Sequence, residues 1–227
     1  MAKIRFLGHA AFHIEGSGLK ALIDPFLSGN DKTPFSPADF PDVNFIFVTH
    51  GHGDHLGDTT GIALRSGATV VATVEICNIL SGRGVKCHPL QIGGAFGFPF
   101  GRVKMTPAWH GSGIQSDGGM IYGGVAGGFL IEVDGKRIYH AGDTGLTMEM
   151  NLLADESVDV ALLPIGGNYT MDIDDAVRAL KMIRPKTAVP MHYDTFQLIE
   201  ASPEEFARKA SGLADVKILG SGESMDI

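Results

Sequence analysis

The run Thr49-His50-Gly51-His52-Gly53-Asp54-His55 narrows most sharply what this chain can become. Four groups able to ligate a metal fall within six positions, and amphipathic periodicity explains none of them. On a helix, positions i and i+2 point nearly opposite ways, so His50 and His52 cannot share an ion there. In a tight loop at a strand end they converge. Gly51 and Gly53 suit such a loop, because glycine tolerates positive φ and brings no bulk near an ion. At this composition about 10⁻³ chance occurrences of His-x-His-x-Asp-His are expected.

The run follows Asn44-Phe45-Ile46-Phe47-Val48, a continuous apolar stretch of the kind that forms a strand buried on both faces. Before it, Lys3–Leu7, Phe12–Glu15 and Leu19–Ile23 read as a meander of short strands. The proline-bearing stretch Ser28–Asp42 reads as a surface loop. After it the chain alternates: helix Thr59–Ser66, strand Thr69–Thr73, helix Val74–Ser81, strand Val85–Leu90, a glycine-rich passage Gly93–Gly101, then strand Val103–Ala108. Val125–Val133 and Arg137–His140 are predicted to pair as a hairpin about Asp134-Gly135. The last third repeats the rhythm with strand Val158–Pro164, helix Asp172–Ile183, strand Thr187–Met191, helix Ser202–Ser211 and strand Val216–Leu219. In Asp172–Ile183 the residues Ile173, Val177, Leu180 and Ile183 share one face, with aspartates at the positive end of the helix. Two halves, each with strands first and helices after, predict two packed sheets with helices outside. No linker or charge block interrupts them, so residues 1–227 read as one domain.

His110, Asp143 and His192 each follow an apolar strand-like run, as His50 does. Strand ends at one sheet edge are where residues distant in sequence meet. Together with the first motif these positions supply five imidazoles and two carboxylates, too many for one tetrahedral ion and suited to two. Composition removes other classes. A net charge of −8, from 18 basic and 26 acidic residues, argues against a uniform nucleic-acid footprint. No apolar run reaches the roughly 18 residues of a membrane span. The N-terminus carries no signal-peptide core, so a cytoplasmic location is expected. Cys77 and Cys87 are expected as reduced, partly buried thiols.

In order, His50-x-His52-x-Asp54-His55, His110, Gly142-Asp143-Thr144 and His192 resemble the motif set of the metallo-β-lactamase superfamily. Gly8-His9-Ala10, Leu22-Ile23-Asp24-Pro25 and the segment from Pro164 to Asp172 narrow the likeness to its UPF0173 metal-dependent hydrolase branch, which is similar to the ascorbate-6-phosphate lactonases. The resemblance runs from Gly8 to the last strand. It implies an α/β (α+β) fold, the four-layer αββα sandwich. It also implies a first ion on His50, His52 and His110, a second on Asp54, His55 and His192, and Asp143 bridging them. The glutamate that replaces His52 in iron-binding flavoprotein relatives is absent, which disfavours dioxygen chemistry. No cysteine stands at a ligand position, as it does in many true β-lactamases, and there is no RNA-holding arm.

Two divalent ions a few ångströms apart can hold a water between them and lower its pKa from ~16 towards neutrality. The expected function is therefore binuclear metal-dependent hydrolysis, by a metal-bridging hydroxide, of a small ester, lactone or phosphorylated metabolite. Asp54 and His192 are expected at the reacting centre, with Asp54 also anchoring the hydroxide's hydrogen. Zinc is the first expectation, with manganese, iron or nickel as alternatives. Three further candidates are Asp24, to hold the outer nitrogen of a ligand histidine; His9, to line the pocket; and Asn168, to contact substrate or an oxyanion. His140 is expected to be packed, His13 and His88 structural or solvent-facing, and Trp109 to lie in the core or wall the site. The loops Ser28–Asp42, Gly111–Gly124 and Gly166–Asp172 are expected to form the pocket walls. Two other readings stay open. A phosphodiesterase or nuclease of the same fold would need a basic groove, where the chain offers scattered cations such as Arg65, Arg83, Lys86 and Arg102. A non-catalytic, metal-stabilised binding protein would keep the ligands without turnover. A small-molecule partner is expected, nucleic acid and membrane are disfavoured, and oligomeric state is left open.

Overall fold

A computed structural model describes residues 1–227. In chain order it contains β1 (Lys3–Gly8), β2 (Ala11–Gly16), β3 (Leu19–Ile23), β4 (Phe45–Phe47), α1 (Gly53–Leu56), α2 (Thr59–Ser66), β5 (Thr69–Ala72), α3 (Val74–Ser81), β6 (Cys87–Pro89), β7 (Ala95–Phe98) and β8 (Gly101–Pro107). There follow β9 (Gly113–Ser116), β10 (Gly119–Tyr122), β11 (Gly127–Val133), β12 (Lys136–His140), β13 (Val160–Pro164), α4 (Ile173–Ile183), β14 (Thr187–Met191), α5 (Pro203–Lys209), β15 (Asp215–Val216) and β16 (Ser224–Asp226). Short 3₁₀ segments occupy Pro37–Asp39, Met148–Glu156 and Gln197–Ile199. One seven-stranded sheet runs β16-β1-β2-β3-β4-β5-β6, a second runs β15-β14-β13-β12-β11-β8-β7, and β9 and β10 pair apart from both.

Strand alternation builds the layers. Successive side chains point to opposite faces, so Phe47 of β4 and Val71 of β5 enter a core shared with Phe129 and Val103 of the second sheet. Their neighbours Ile46 and Val70 turn outward instead, onto Ile62 of α2 and Ile76 and Leu80 of α3. The Phe47 and Phe129 rings meet across the sheets at 5.4 Å. On the far side, Ala176, Ala179, Leu180 and Ile183 of α4 and Phe206 of α5 are buried with second-sheet residues such as Leu163 and Val189. The order of layers is helices, sheet, sheet, helices. The four-layer expectation holds.

Local chemistry sets the boundaries. Asp172 caps α4, accepting the Asp175 backbone N–H at 2.8 Å, a contact typically worth about 1 kcal/mol. Ser202 does the same for α5 through Glu205 N–H at 3.1 Å, with Pro203 at the first helical position. Asp134 and Gly135 both take positive φ (52° and 72°), as a two-residue hairpin turn requires, and Val133 pairs Lys136.

Several expectations are corrected. Leu180 and Ile183 of α4 are buried as expected, but small Ala176 and Ala179 join them, while Ile173 and Val177 are half-buried at the margin. The strand expected at Val216–Leu219 stops at Val216. The chain turns back through Gly222 (φ 93°), and β16 pairs β1 as the edge of the other sheet. The strand expected at Val85–Leu90 shrinks to β6. The glycine-rich passage contains β7, and the expected loop Gly111–Gly124 contains the β9–β10 hairpin. Trp109 is 70% exposed, neither core nor cavity wall. His13 is buried against Phe40 with both ring nitrogens unpaired, and burial lowers its pKa. His88 packs on Phe96 at 4.4 Å. Cys77 and Cys87 are free thiols. No helix is long and apolar enough to cross a membrane.

Candidate metal centre

The strands deliver the predicted residues to one edge of the sandwich. His50 follows β4, His110 follows β8, Asp143 follows β12 and His192 follows β14; the β1–β2 turn brings His9 and the end of β3 brings Asp24. Backbone strain concentrates here. Five of the eight non-glycine residues with positive φ are His9, Asp24, Asn168, His192 and Asp194, at φ 44° to 58°. Each costs on the order of 1 kcal/mol, and such costs persist where surrounding structure fixes a side chain's aim.

The glycines of the motif act otherwise than expected. Neither Gly51 nor Gly53 has positive φ. A Cβ on Gly51 would overlap Ile114 and lie 2.9 Å from the Ser112 carbonyl oxygen, so close packing is what requires glycine there. Gly53 opens α1 with free space around it.

Three overlapping groups of donor atoms form, one of them, Asp24 with His50 and His55, on the outer side. His52 Nδ1 lies 3.0 Å from His50 Nε2 and 3.2 Å from His110 Nε2. Around a tetrahedral ion with nitrogen bonds of about 2.05 Å, neighbouring donor atoms stand about 3.3 Å apart, so this spacing suits one ion. His9, Asp54, His55 and His192 form the second group. Asp143 stands between them: its Oδ1 is 3.3 Å from His55 Nε2, and its Oδ2 is 3.0 Å from His192 Nε2 and 3.5 Å from His110 Nε2. All seven sequence-predicted ligand residues are thus brought together.

Asp24 organises the outer side of both groups. Its Oδ2 accepts from His55 Nδ1 at 2.8 Å and from the Thr49 hydroxyl at 2.6 Å, and its Oδ1 accepts the Thr49 backbone N–H at 2.8 Å. With its proton committed to Asp24, Thr49 Oγ1 must accept from His50 Nδ1, 3.0 Å away. One fully buried carboxylate therefore fixes both rings so that Nε2 of His50 and of His55 faces inward. Asp24→Ala should weaken zinc affinity by about 10- to 100-fold. Competition against a chromophoric chelator measures this, and unchanged affinity would contradict the assignment.

The charges interlock. Burial alone would hold His55 neutral, yet Asp143 and Asp24 raise its pKa well above the usual range. Burial would push Asp143 up, but His55 and His192 hold it well below an ordinary carboxylate. Burial drives His50 down. His9 Nε2 donates to Asp54 Oδ2 at 3.1 Å while its Nδ1 accepts from the Thr195 hydroxyl at 2.9 Å. Burial lowers its pKa to about 4 despite that carboxylate. His9 also lies 4.1 Å, centroid to centroid, from the His192 ring. His140 bonds as a neutral ring, Nε2 donating to the Ala10 carbonyl and Nδ1 accepting the Gly142 N–H, and has a packing role.

A cavity of about 210 Å³ opens on the cluster, lined by His52, Asp54, His110, Asp143, His192, Tyr169 and Phe196. Asn168 is exposed, and its neighbour Tyr169 reaches the cavity in its place. Of the three loops expected as walls, the one containing Tyr169 lines the cavity directly. Phe196, from the loop after β14, is missed by sequence reasoning, since a lone aromatic in a loop carries no periodic signal.

Histidine–aspartate clusters at one edge of a helix–sheet–sheet–helix sandwich define a metallo-β-lactamase-type protein. The family description "Beta-lactamase superfamily domain" matches residues 20–193. The UPF0173 metal-dependent hydrolase of Alkaliphilus metalliredigens is 57% identical over 204 residues, 90% of this chain and 91% of that protein. Its counterpart in Carboxydothermus hydrogenoformans is 52% identical over 223 residues, 97% and 98% of the two chains. The solved structure of Igni18, a metallo hydrolase from Ignicoccus hospitalis, is similar with a TM-score of 0.90 at 38% identity, covering 100% of this chain and 99% of that one. The chain belongs to this superfamily and, within it, to the UPF0173 metal-dependent hydrolases.

Proposed function

We propose that residues 1–227 form one hydrolase domain working with two divalent ions, zinc first. His50, His52 and His110 would hold one ion and Asp54, His55 and His192 the other, with Asp143 shared between them. As a member of its family the protein is a metal-dependent hydrolase. The observation that carries the binuclear reading is a set of buried donor atoms crowded to 3.0–3.3 Å without a well-aligned hydrogen bond: His55 Nε2 against Asp143 Oδ1, and His192 Nε2 against Asp143 Oδ2. Buried polar atoms left unpaired cost roughly 1–3 kcal/mol each. These are aimed into one space, where cations would satisfy them.

Bound there, such ions supply a water acidified towards neutrality and an electrophile for a carbonyl or phosphoryl oxygen. The chain's residues do the rest. Asp54, with one oxygen held by His9, faces the cavity as a carboxylate able to orient the attacking water and take a hydrogen bond from it. His192 lines the cavity beside it, its Nε2 3.9 Å from Asp54 Oδ2. The cavity's size suits a small ester, lactone or phosphorylated metabolite. The nuclease alternative finds no support in its lining, which includes no lysine or arginine.

Chelation tests the proposal. Dialysis against a chelator should abolish hydrolysis across a panel of lactones, esters, phosphodiesters and β-lactams, and added zinc should restore it. Turnover that survives metal removal would contradict the reading. Metal binding without turnover of any substrate would favour the non-catalytic alternative.

A further inference from the structure

Two large aromatic side chains stand open to solvent at the mouth of the metal cavity: Phe196 is 43% and Tyr169 51% exposed. Aromatic side chains of this size gain much by being covered, and these two, unlike the exposed Trp109 and Tyr122, line the cavity itself. We infer that the site takes an uncharged substrate whose acyl or leaving portion carries an aryl or other flat apolar group, and discriminates against phosphorylated ones. The inference rests on the hydrolytic reading above and selects among its three substrate classes.

The Phe196 side of the aromatic wall is held firmly. Phe196 lies edge-on to His9 at 5.5 Å and tilted against Phe26 at 6.4 Å, and Phe26 is itself edge-on to His9 at 5.7 Å. His9 in turn is locked between Asp54 and Thr195. Phe196 is therefore pre-positioned beside the second donor group, which lowers the ordering cost of binding a ring against it. The cavity has room for about seven water volumes, so it suits a small molecule.

Charge points the same way. Beyond the donor cluster, no cation lines the cavity to neutralise a phosphoryl group remote from the scissile bond. The loops carrying Phe196 and Tyr169 continue into acidic surface. One recess beside that stretch is lined by Asp194, Glu200 and Glu204 together with Lys32. In another, Lys209 is already paired with Asp174 at 2.7 Å and Glu205 at 2.9 Å.

The reaction on such a substrate is simple. In a lactone the acyl C–O bond breaks, the oxygen of water joins the acyl carbon, and the ring alkoxide takes up a proton to leave the open hydroxy acid. No co-reactant besides water is needed.

The zinc-loaded full chain should be assayed with γ-butyrolactone, γ-phenyl-γ-butyrolactone and 6-phosphogluconolactone. In parallel, the metal-free chain should be titrated with 4-phenylbutan-2-one while ring resonances are followed by NMR. The expected result is a kcat/KM roughly 10- to 100-fold higher for the phenyl lactone than for either of the others. Phe196→Ala and Tyr169→Ala should shrink that ratio, whereas Leu198→Ala, on the same loop but outside the cavity, should preserve it. The ketone should shift the Phe196 and Tyr169 ring signals. Turnover with no phenyl preference, or with the phosphorylated lactone preferred, overturns the inference and leaves the hydrolytic reading standing. Ring shifts without turnover of any lactone support the apolar wall and count against hydrolysis of these substrates. Absent shifts together with absent turnover overturn the inference.

Discussion

Asp54→Ala should lower kcat/KM by about 10³-fold or more, equivalent to about 4 kcal/mol of lost transition-state stabilisation, while leaving the fold intact. The side chain is 28% exposed, so its removal opens no sealed cavity. It takes away three things at once: a donor of the second group, the acceptor that holds His9, and the carboxylate facing the cavity. That carboxylate is charged at neutral pH. Burial pushes its pKa up, but the His9 hydrogen bond and the neighbouring His55 outweigh this and draw it below the usual range. Asp54→Asn keeps the shape and removes the charge, so it should fall nearly as far. Steady-state kinetics on variants matched for fold by circular dichroism measure the effect. A loss smaller than tenfold would remove Asp54 from the mechanism.

Loading the metal-free protein with zinc should raise its Tm by on the order of 20 °C. Two sites, each with free zinc at ~1,000 times its Kd, add about 8 kcal/mol, and each kcal/mol moves the Tm of a chain this size by about 2–4 °C. The shift should also grow with pH. In the metal-free protein His55 is held above its ordinary 6.5 by Asp143 and Asp24 against the effect of burial. A raised folded-state pKa contributes stability in full below the unfolded value, and that contribution is lost as pH rises through the folded value. Asp143 is held below its ordinary 3.8 by His55 and His192, again against burial. Its contribution is present above 3.8 and lost as pH falls through the folded value. The proton-filled cluster is thus firmest between these two ordinary values. Zinc bound at His55 would have to displace that proton, so its binding should strengthen as pH rises. Calorimetric melts with and without zinc should show a larger difference at about pH 8 than at about pH 5.5. A pH-independent shift would mean that the metal does not compete for His55.

The legible part of this protein is what obeys a short-range rule. Four of the donor residues come just after apolar strands, and strands in two stacked sheets end at one edge. His50, His110, Asp143 and His192 therefore announce their meeting place through sequence position alone. Asp24 is legible as a candidate, but its reach through Thr49 to a second histidine is not, because that depends on a hydroxyl's orientation across neighbouring residues. Gly51 is legible as necessary for the wrong reason: its partner, Ile114, lies in a hairpin that periodicity does not reveal. The aromatic wall is least legible. Tyr169 sits in a loop expected to wall the pocket, but Phe196 sits in one with no pattern, and only the fold brings them to one mouth. The last strand misleads because Val216–Leu219 has strand-forming residues, while the turn at Gly222 and the open edge beside β1 give the pairing to Ser224–Asp226.

Anomalous diffraction at the zinc edge from crystals of the zinc-loaded protein tests the central claim most directly. The account predicts two peaks per chain about 3.5–4 Å apart, one within bonding distance of His50, His52 and His110, the other of Asp54, His55 and His192, with an Asp143 oxygen reaching each or both. A single peak, or two peaks too far apart for Asp143 to serve both, would contradict it.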